Sequence, residues 1–532
     1  MSEKPKESND QLFLTAMAGL GCMFLIRLWN KWSPSVRHFW RDYGWQLIFI
    51  GVAGVSFLFL YVASYLWNRY VESRYLPSLT ERDDKAVYLG KDEKGRDTYV
   101  KEPFRTSHTL VIGTTSAGKT ESVVLPWAIH DIEKGNGCLI IDGKADAGFL
   151  DKLYAYVKKA GREKDFYLFS LANLPASCSF NPLQGGTVQE AAERTFSAFK
   201  IDNPYYAAVQ YKIYLALLRL IQNQGATPTF ALVHRLLMDA EQLTLWVEHC
   251  TDSTLKKQLE LYCCESPKDR MEKVSGLDAC LSHFSSGELA SLFNAENPHI
   301  QMNTVLKSNS ICYFQLPTMY YPILASVTGT LVLQSLQAAI SKRHLQRGED
   351  PKFFSVFLDD FQDYIYEGFA GLLNKSRSAN VGVVFSHQSL GDLDKVSPAF
   401  RNVVLTCTNI KVIMRCNEPE TCDYLAKTFG TETTEKVTER QTKTLFGQQK
   451  TGEGSVRETE QYRFHPNTIK QLAVGQGIVS IPHPRGVKST KIAFARRPNL
   501  LSTERPLIEK PALDLDKHLY QVQPSDVKKD HL

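Results

Sequence analysis

Thr109-Leu110-Val111-Ile112-Gly113-Thr114-Thr115-Ser116-Ala117-Gly118-Lys119-Thr120 is the stretch on which the fold turns. Its last eight residues fit G-x-x-x-x-G-K-[ST], the phosphate-binding loop. Its first four are an apolar run that reads as a strand, and Glu121 to Ile132 continues with helical spacing. Strand, loop and helix in that order are what the motif needs. The glycines let backbone N–H groups close around phosphate oxygens, and the helix N-terminus adds partial positive charge. Gly113, Thr114, Thr115, Ser116, Ala117, Gly118, Lys119 and Thr120 are therefore the expected ATP-binding set. Lys119 is expected to reach the β/γ-phosphates and the Thr120 hydroxyl to ligate Mg²⁺.

Downstream, Phe353-Phe354-Ser355-Val356-Phe357-Leu358-Asp359-Asp360 is an apolar strand ending in two carboxylates, a Walker B arrangement. A pair of Asp residues at a strand end is, in isolation, as readily a turn. Behind a phosphate loop, Asp359 is expected to hold Mg²⁺ opposite Thr120, and Asp360 to orient or deprotonate the attacking water. Val381-Gly382-Val383-Val384-Phe385-Ser386-His387-Gln388 follows, and Gln388 at its end suits a γ-phosphate sensor. Arg377, between these two strands, suits an arginine finger aimed at a neighbouring subunit's nucleotide.

Other apolar runs at Cys138–Ile141, Phe166–Phe169, Ile311–Phe314 and Ile410–Met414 alternate with helical patterns. That alternation predicts a parallel sheet covered on both faces, an α/β fold. Residues 187–298 are rich in Leu, Ala, Glu, Gln and Lys at helical spacing and predict an inserted all-α domain. Its Lys256, Lys257, Lys268, Arg270 and Lys273 are mixed with acids and read as a solvated surface. Residues 68–107 read as a charged connector with a small hairpin around Gly95. Thr431 to Glu460 is polar and repetitive, which predicts a mobile loop or linker. Gly475-Gln476-Gly477 precedes a last strand at Ile478–Ile481, and the chain then runs into a proline-bearing tail.

The chain has 532 residues, 43% hydrophobic and 22% charged, with a net charge of +5. It is long enough for two or three domains, and its small net charge does not by itself indicate nucleic acid. Eleven cysteines without a C-x-x-C pair read as reduced thiols. His249-Cys250 with Cys263-Cys264 reads as incidental thiols on helices in preference to a zinc cluster. Trp45 to Trp67 carries no charged residue, and at ~1.5 Å per residue it reaches about 34 Å, enough to span a bilayer. Gln11 to Trp29 is a weaker second span. The positive-inside tendency of Arg27, Lys31, Arg37 and Arg41 would put the loop between the spans in the cytoplasm. A cytoplasmic nucleotide site requires the reverse, with 30–44 outside and both termini inside.

In this order, the parts resemble the TraG/TraD family, the coupling-protein ATPases of type IV secretion and conjugation. The resemblance takes in the apolar N-terminal segments, the phosphate loop, Leu139-Ile140-Ile141-Asp142-Gly143-Lys144, Ser179-Phe180-Asn181-Pro182-Leu183, Leu316-Pro317-Thr318, Gln388 and Phe464-His465-Pro466. It implies a RecA-like P-loop NTPase domain (71–186 and 299–500) with an inserted all-α domain (187–298). It further implies a membrane anchor of two transmembrane helices (1–70, spans about 11–29 and 45–67), and the chain ends in an extended tail (501–532). By the same resemblance the protein is a homo-hexameric, multi-pass ATPase of the inner membrane. The resemblance implies that it couples DNA, single- or double-stranded, with a relaxase, or effector proteins, to a type IV secretion channel. One departure stands out: the family usually has Glu where this chain has Asp360, which implies looser water positioning or slower hydrolysis. The competing readings are an FtsK-like DNA translocase and a nucleotide-binding docking receptor without strong ATPase activity.

Overall fold

The computed structural model describes residues 85–346, 351–444, 447–483, 486–510 and 517–520, preceded by residues 49–67 and single helical positions between 19 and 46. The chain divides into two compact units, Met1–Asp83 and Asp84–Leu532. In the first, Phe49–Trp67 is a 19-residue helix of mean hydropathy 2.0 with none of its apolar window buried. It lies inside the expected 45–67 span. The expected span at 11–29 lies, apart from single helical positions, outside the described residues. A second helix in the other unit, Pro322–Leu345, is also apolar (mean hydropathy 1.5), but 72% of its window is buried. Its apolar side chains pack against the sheet, so it is a core helix.

The second unit is built on one sheet of eleven strands. In chain order these are β1 (Val87–Asp92), β2 (Asp97–Val100), β3 (Thr109–Ile112), β4 (Gly137–Asp142), β5 (Phe166–Ser170), β6 (Ile311–Gln315), β7 (Phe354–Asp359), β8 (Val381–His387) and β9 (Ile410–Ile413), and then β12 (Gln476–His483) and β13 (Gly486–Phe494). Between these last two and β9 lie β10 (Thr431–Thr444) and β11 (Gly447–Tyr462), which form a separate pair. The order across the large sheet is β2-β1-β13-β12-β9-β3-β8-β7-β4-β6-β5. From β9 to β5 every pairing is parallel.

Alternation along these strands decides what covers each face. Leu110, Ile112, Leu139, Ile141, Val356 and Leu358 enter one core with helix Pro322–Leu345. Val111, Cys138, Ile140, Tyr313, Phe357 and Val384 enter the other, with helices Leu125–Glu133 and Ala147–Lys159. Both faces are thus covered, as continuous apolar strands require.

The connector reading of 68–107 needs correction at its end. The β1–β2 hairpin forms, but it is also part of the main sheet, because β1 pairs antiparallel with β13. Gly90 makes this possible: at φ +143°, a Cβ there would lie 2.0 Å from the Ala493 carbonyl oxygen. β13 itself, with Lys488 and Lys491 among its apolar residues, was not expected. The linker reading of Thr431 to Glu460 is also overturned. β10 and β11 form a long antiparallel ribbon, from Thr431↔Tyr462 to Thr444↔Gly447, with one register shift between Glu439 and Gln441. A Thr-rich polar sequence can satisfy its backbone by pairing with itself, so low hydrophobicity did not mean an absence of strands.

Within 187–298 there are seven helices, from Val188–Phe196 to Ala290–Phe293, and no strand. Several start on side-chain caps: Thr187 in a capping box, then Asn203, Thr229, Asp239, Asp252 and Ser266. The insertion is tied down by Asn181, which donates to the carbonyls of Pro228 (3.0 Å) and Ala295 (3.1 Å) and accepts from Leu183 N–H. Phe284 and Phe293 continue its core into Phe169 of β5. The segment after β13 is extended but not free. Tyr156 donates to the Pro498 carbonyl, Arg505 pairs with Asp151, and Tyr520 stacks on His249 at 4.5 Å.

Candidate functional site

The carboxyl ends of β3, β8, β7 and β4 lie side by side, and the residues singled out in the sequence gather there. After β3 the loop turns on Ser116 (φ 63°) and Gly118 (φ 96°), both left-handed. Gly113 is required by close approach, since a Cβ would lie 3.0 Å from the Met414 Cβ. The loop is hung between neighbouring strands: Gly113 N–H donates to the His387 carbonyl and Thr114 N–H to that of Arg415. A short π turn, Thr120–Val124, leads into helix Leu125–Glu133.

Lys119 is buried inside this loop, where its Nζ donates to the carbonyls of Gly113 (2.7 Å) and Thr114 (3.3 Å). Burial pushes its ammonium below the usual lysine range, and Asp360 and Asp359 oppose that shift. Thr120 Oγ1 donates to Asp359 Oδ2 at 2.6 Å, joining the loop to the end of β7. Ser386, near the end of β8, donates to the other oxygen, Asp359 Oδ1, also at 2.6 Å. Two hydroxyls therefore fix the orientation of one buried carboxylate. A hydroxyl and a carboxylate converging beside a buried ammonium suit a hydrated divalent cation bound to phosphate.

Asp360 follows in a left-handed conformation (φ 49°, ψ 49°). Its side chain is 3% exposed and its Oδ2 lies 2.7 Å from Lys144 Nζ. Its Oδ1 is buried without a hydrogen-bond partner. Asp142, at the end of β4, accepts from Tyr313 Oη and from the N–H groups of Lys144, Ala145 and Asp146. Burial lifts its carboxyl to about 6 against these bonds.

Two of the expected site residues stand apart. Gln388 lies just past β8 with an exposed side chain, and its N–H is capped by Asp392. The buried residue at that strand end is His387, pushed down to about 4 mainly by burial. Arg377 is exposed in the turn before β8, beside Pro103, Thr106, Asn374 and Asn380. β8 runs from there to His387, which pairs with Ile112 at the phosphate loop, so Arg377 and Lys119 occupy opposite ends of the sheet. Ser386 and Lys144 were not among the expected site residues. A polar residue ending a buried apolar strand was the available signal for Ser386. Lys144 follows Asp142-Gly143 at the end of β4, and only strand order brings it to Asp360.

The family described as "TraM recognition site of TraD and TraG" matches residues 354–473, from β7 to just past helix Pro466–Lys470. The type 4 coupling protein DotL of Legionella pneumophila subsp. pneumophila is 23% identical over 419 residues, which is 67% of this chain and 53% of DotL. The chain thus spans about half the length of that relative. Among solved structures, the bacterial conjugative coupling protein TrwBΔN70 aligns at a TM-score of 0.56 with 14% identity, over 78% of this chain and 92% of its own. TrwB with the GTP analogue GDPNP aligns at 0.57 with 14% identity, over 77% and 90%. TrwB with ADP and Mg²⁺ aligns at 0.56 with 14% identity, over 76% and 89%. The fold is TrwB-like, and in sequence the chain is similar to TraG/TraD-type coupling proteins.

Proposed function

We propose that this chain is a membrane-anchored, ATP-hydrolysing coupling protein that engages DNA or protein cargo and drives it toward a type IV secretion channel. The observation that carries the reading is the clamp on Asp359 by Thr120 and Ser386 beside the buried Lys119. ATP with Mg²⁺ fits this donor set: the loop N–H groups and Lys119 hold phosphate oxygens, and Thr120 and Asp359 hold the cation. Mg²⁺ held by Thr120 and Asp359 would supply charge neutralisation to the phosphates. Asp359 is oriented by its two hydroxyl donors. Asp360, on the next residue, faces the same space and is the group that orients the attacking water. Gln388 senses the terminal phosphate through a turn of its exposed side chain. Arg377, remote from Lys119 in its own chain, acts on a neighbour's nucleotide in a homo-hexamer. The Phe49–Trp67 helix anchors the protein in the inner membrane, with the Gln11–Trp29 segment as a second pass, and the relaxase–DNA complex or an effector is received on the cytoplasmic side.

The full-length protein in detergent, assayed for ATP turnover with and without DNA, tests this reading. DNA-stimulated turnover that is lost in Lys119→Ala is the expected result. Binding to single- or double-stranded DNA is expected to weaken steeply from low to moderate salt, because a sequence-tolerant motor holds phosphate. ATP binding without turnover, in either condition, favours the docking receptor instead. One observation supports that second reading: Asp360, the proposed water-orienting group, is held by Lys144. Among the described residues, no feature of the fold favours the FtsK-like alternative.

A further inference from the structure

Lys144 stands on a rigid base. Its own N–H and those of Ala145 and Asp146 are all bound by the Asp142 carboxylate, with Ala145 left-handed at φ 56°. The preceding carbonyl, Gly143 O, accepts from both the N–H and the Oγ1 of Thr318, whose Oγ1 also donates to Asp363. From this base the Lys144 side chain reaches out, 53% exposed, to a carboxylate that is 3% exposed. Burial works against its charge, but the bond to Asp360 and the nearby Asp359 and Asp142 raise its ammonium above the usual range. Lys119 and Lys144 are close enough that each disfavours charge on the other. Two lysines therefore share one space with Asp142, Asp359 and Asp360, and of the two lysines Lys144 is the one open to solvent.

We propose that Lys144 is a positioning residue that exchanges between two anions: the Asp360 carboxylate, which it holds in this structure, and the terminal phosphate of a bound nucleoside triphosphate. The proposal rests on the nucleotide reading above. A terminal phosphate bears more charge than one carboxylate, and an ammonium on a four-carbon stem is a point charge that can swing between them. When Lys144 turns to phosphate, Asp360 is released for the attacking water. A diphosphate offers no such competitor, so the pair with Asp360 persists. The carboxylate's second oxygen, which has no partner, leaves Asp360 held at one point only and able to be freed.

Affinities of the full-length protein for a non-hydrolysable ATP analogue and for ADP, each with Mg²⁺, test the exchange by calorimetry. Lys144→Ala is expected to lose about tenfold or more in affinity for the triphosphate analogue, the scale of one charge-assisted hydrogen bond. ADP affinity is expected to stay within about twofold, which also shows that the site is folded. Lys144→Arg is expected to restore most of the triphosphate preference. Asp360→Asn, which removes the competing anion, is expected to tighten the triphosphate analogue, and to do so only while Lys144 is present. Equal losses for both nucleotides in Lys144→Ala, or no loss, overturn the exchange while leaving nucleotide binding intact. If the wild type binds neither nucleotide, or Lys119→Ala binds both unchanged, the nucleotide reading fails and takes the exchange with it.

Discussion

At one end of β7, Ser355 joins a closed ion pair between Arg105 and Asp131; at the other, Asp359 and Asp360 lie among Thr120, Ser386, Lys119 and Lys144. In the first group both carboxylate oxygens are filled, and Arg105 Nε alone is buried without a partner. Arg105 meets both Asp131 oxygens at 2.6 Å, Ser355 donates to one of them, and Phe353 and Trp127 cover the guanidinium. Its two charged side chains are 1% and 0% exposed. The second group has a partnerless carboxylate oxygen, a half-exposed lysine and a buried lysine bonded only to backbone. The same kinds of charge on the same strand thus serve two purposes. Where every acceptor is filled the charges can only hold the fold, and where some are not they are available to a ligand.

The largest expected effect breaks the closed end. Arg105→Ala leaves Asp131 buried and uncompensated, and stability measured by denaturant is expected to fall by about 3–5 kcal/mol. A loss below about 1 kcal/mol would mean that the pair is no anchor. At the open end, Lys119→Ala is expected to lower turnover by about 10²–10³-fold, with the melting temperature little changed. If Lys119→Ala instead lowers stability as much as Arg105→Ala while turnover holds, the division between the two ends is wrong.

pH sharpens the same contrast. His108, near the closed end, is buried with Nε2 donating to the Leu373 carbonyl and Nδ1 accepting from Val383 N–H. Burial, with Arg377 adding to it, pushes its pKa from 6.5 down to about 4. The unfolded chain therefore binds a proton that the folded chain refuses. Its contribution is complete above pH 6.5 and is lost as pH falls toward 4, up to about 3 kcal/mol. His108→Asn should flatten the stability profile in that window; a profile parallel to wild type would refute the assignment. The smallest effect lies off the strand altogether. Tyr520→Ala removes the stack on His249 and is expected to cost about 0.5–1.5 kcal/mol, read as faster hydrogen exchange in helix Ala240–Glu248, with turnover unmoved.

Much of this was legible because the relevant physics is local. Gly113 to Thr120 could be read from spacing, since the loop's glycines, its turn and its lysine all lie within eight residues, although the close approach to Met414 is a tertiary contact. The buried strands were legible as short apolar runs, and the helical insertion as a long stretch without one. Gln388 and Arg377 were chosen by position along the chain, and that is where the reading weakened. The structure puts Gln388 on the surface beside the site and Arg377 at the far end of β8. Ser386 was passed over in favour of Gln388, two residues on; the two share a strand parity, but β8 ends at His387, so Ser386 is held against Asp359 and Gln388 lies beyond the strand.

The sequence by itself determined that this chain folds around a phosphate loop on a covered parallel sheet, with a helical insertion and an apolar segment long enough to cross a membrane. Those properties follow from residue spacing and hydrophobic period, which one dimension carries in full. Only the tertiary structure decided that one apolar helix, Pro322–Leu345, belongs to the core, that a polar repeat pairs into the β10–β11 ribbon, and that β1 closes onto β13. It also decided that Thr120, Ser386 and Lys144 meet Asp359 and Asp360. Those contacts depend on the strand order β3-β8-β7-β4, in which β8 and β7 lie between two strands that are consecutive in the sequence.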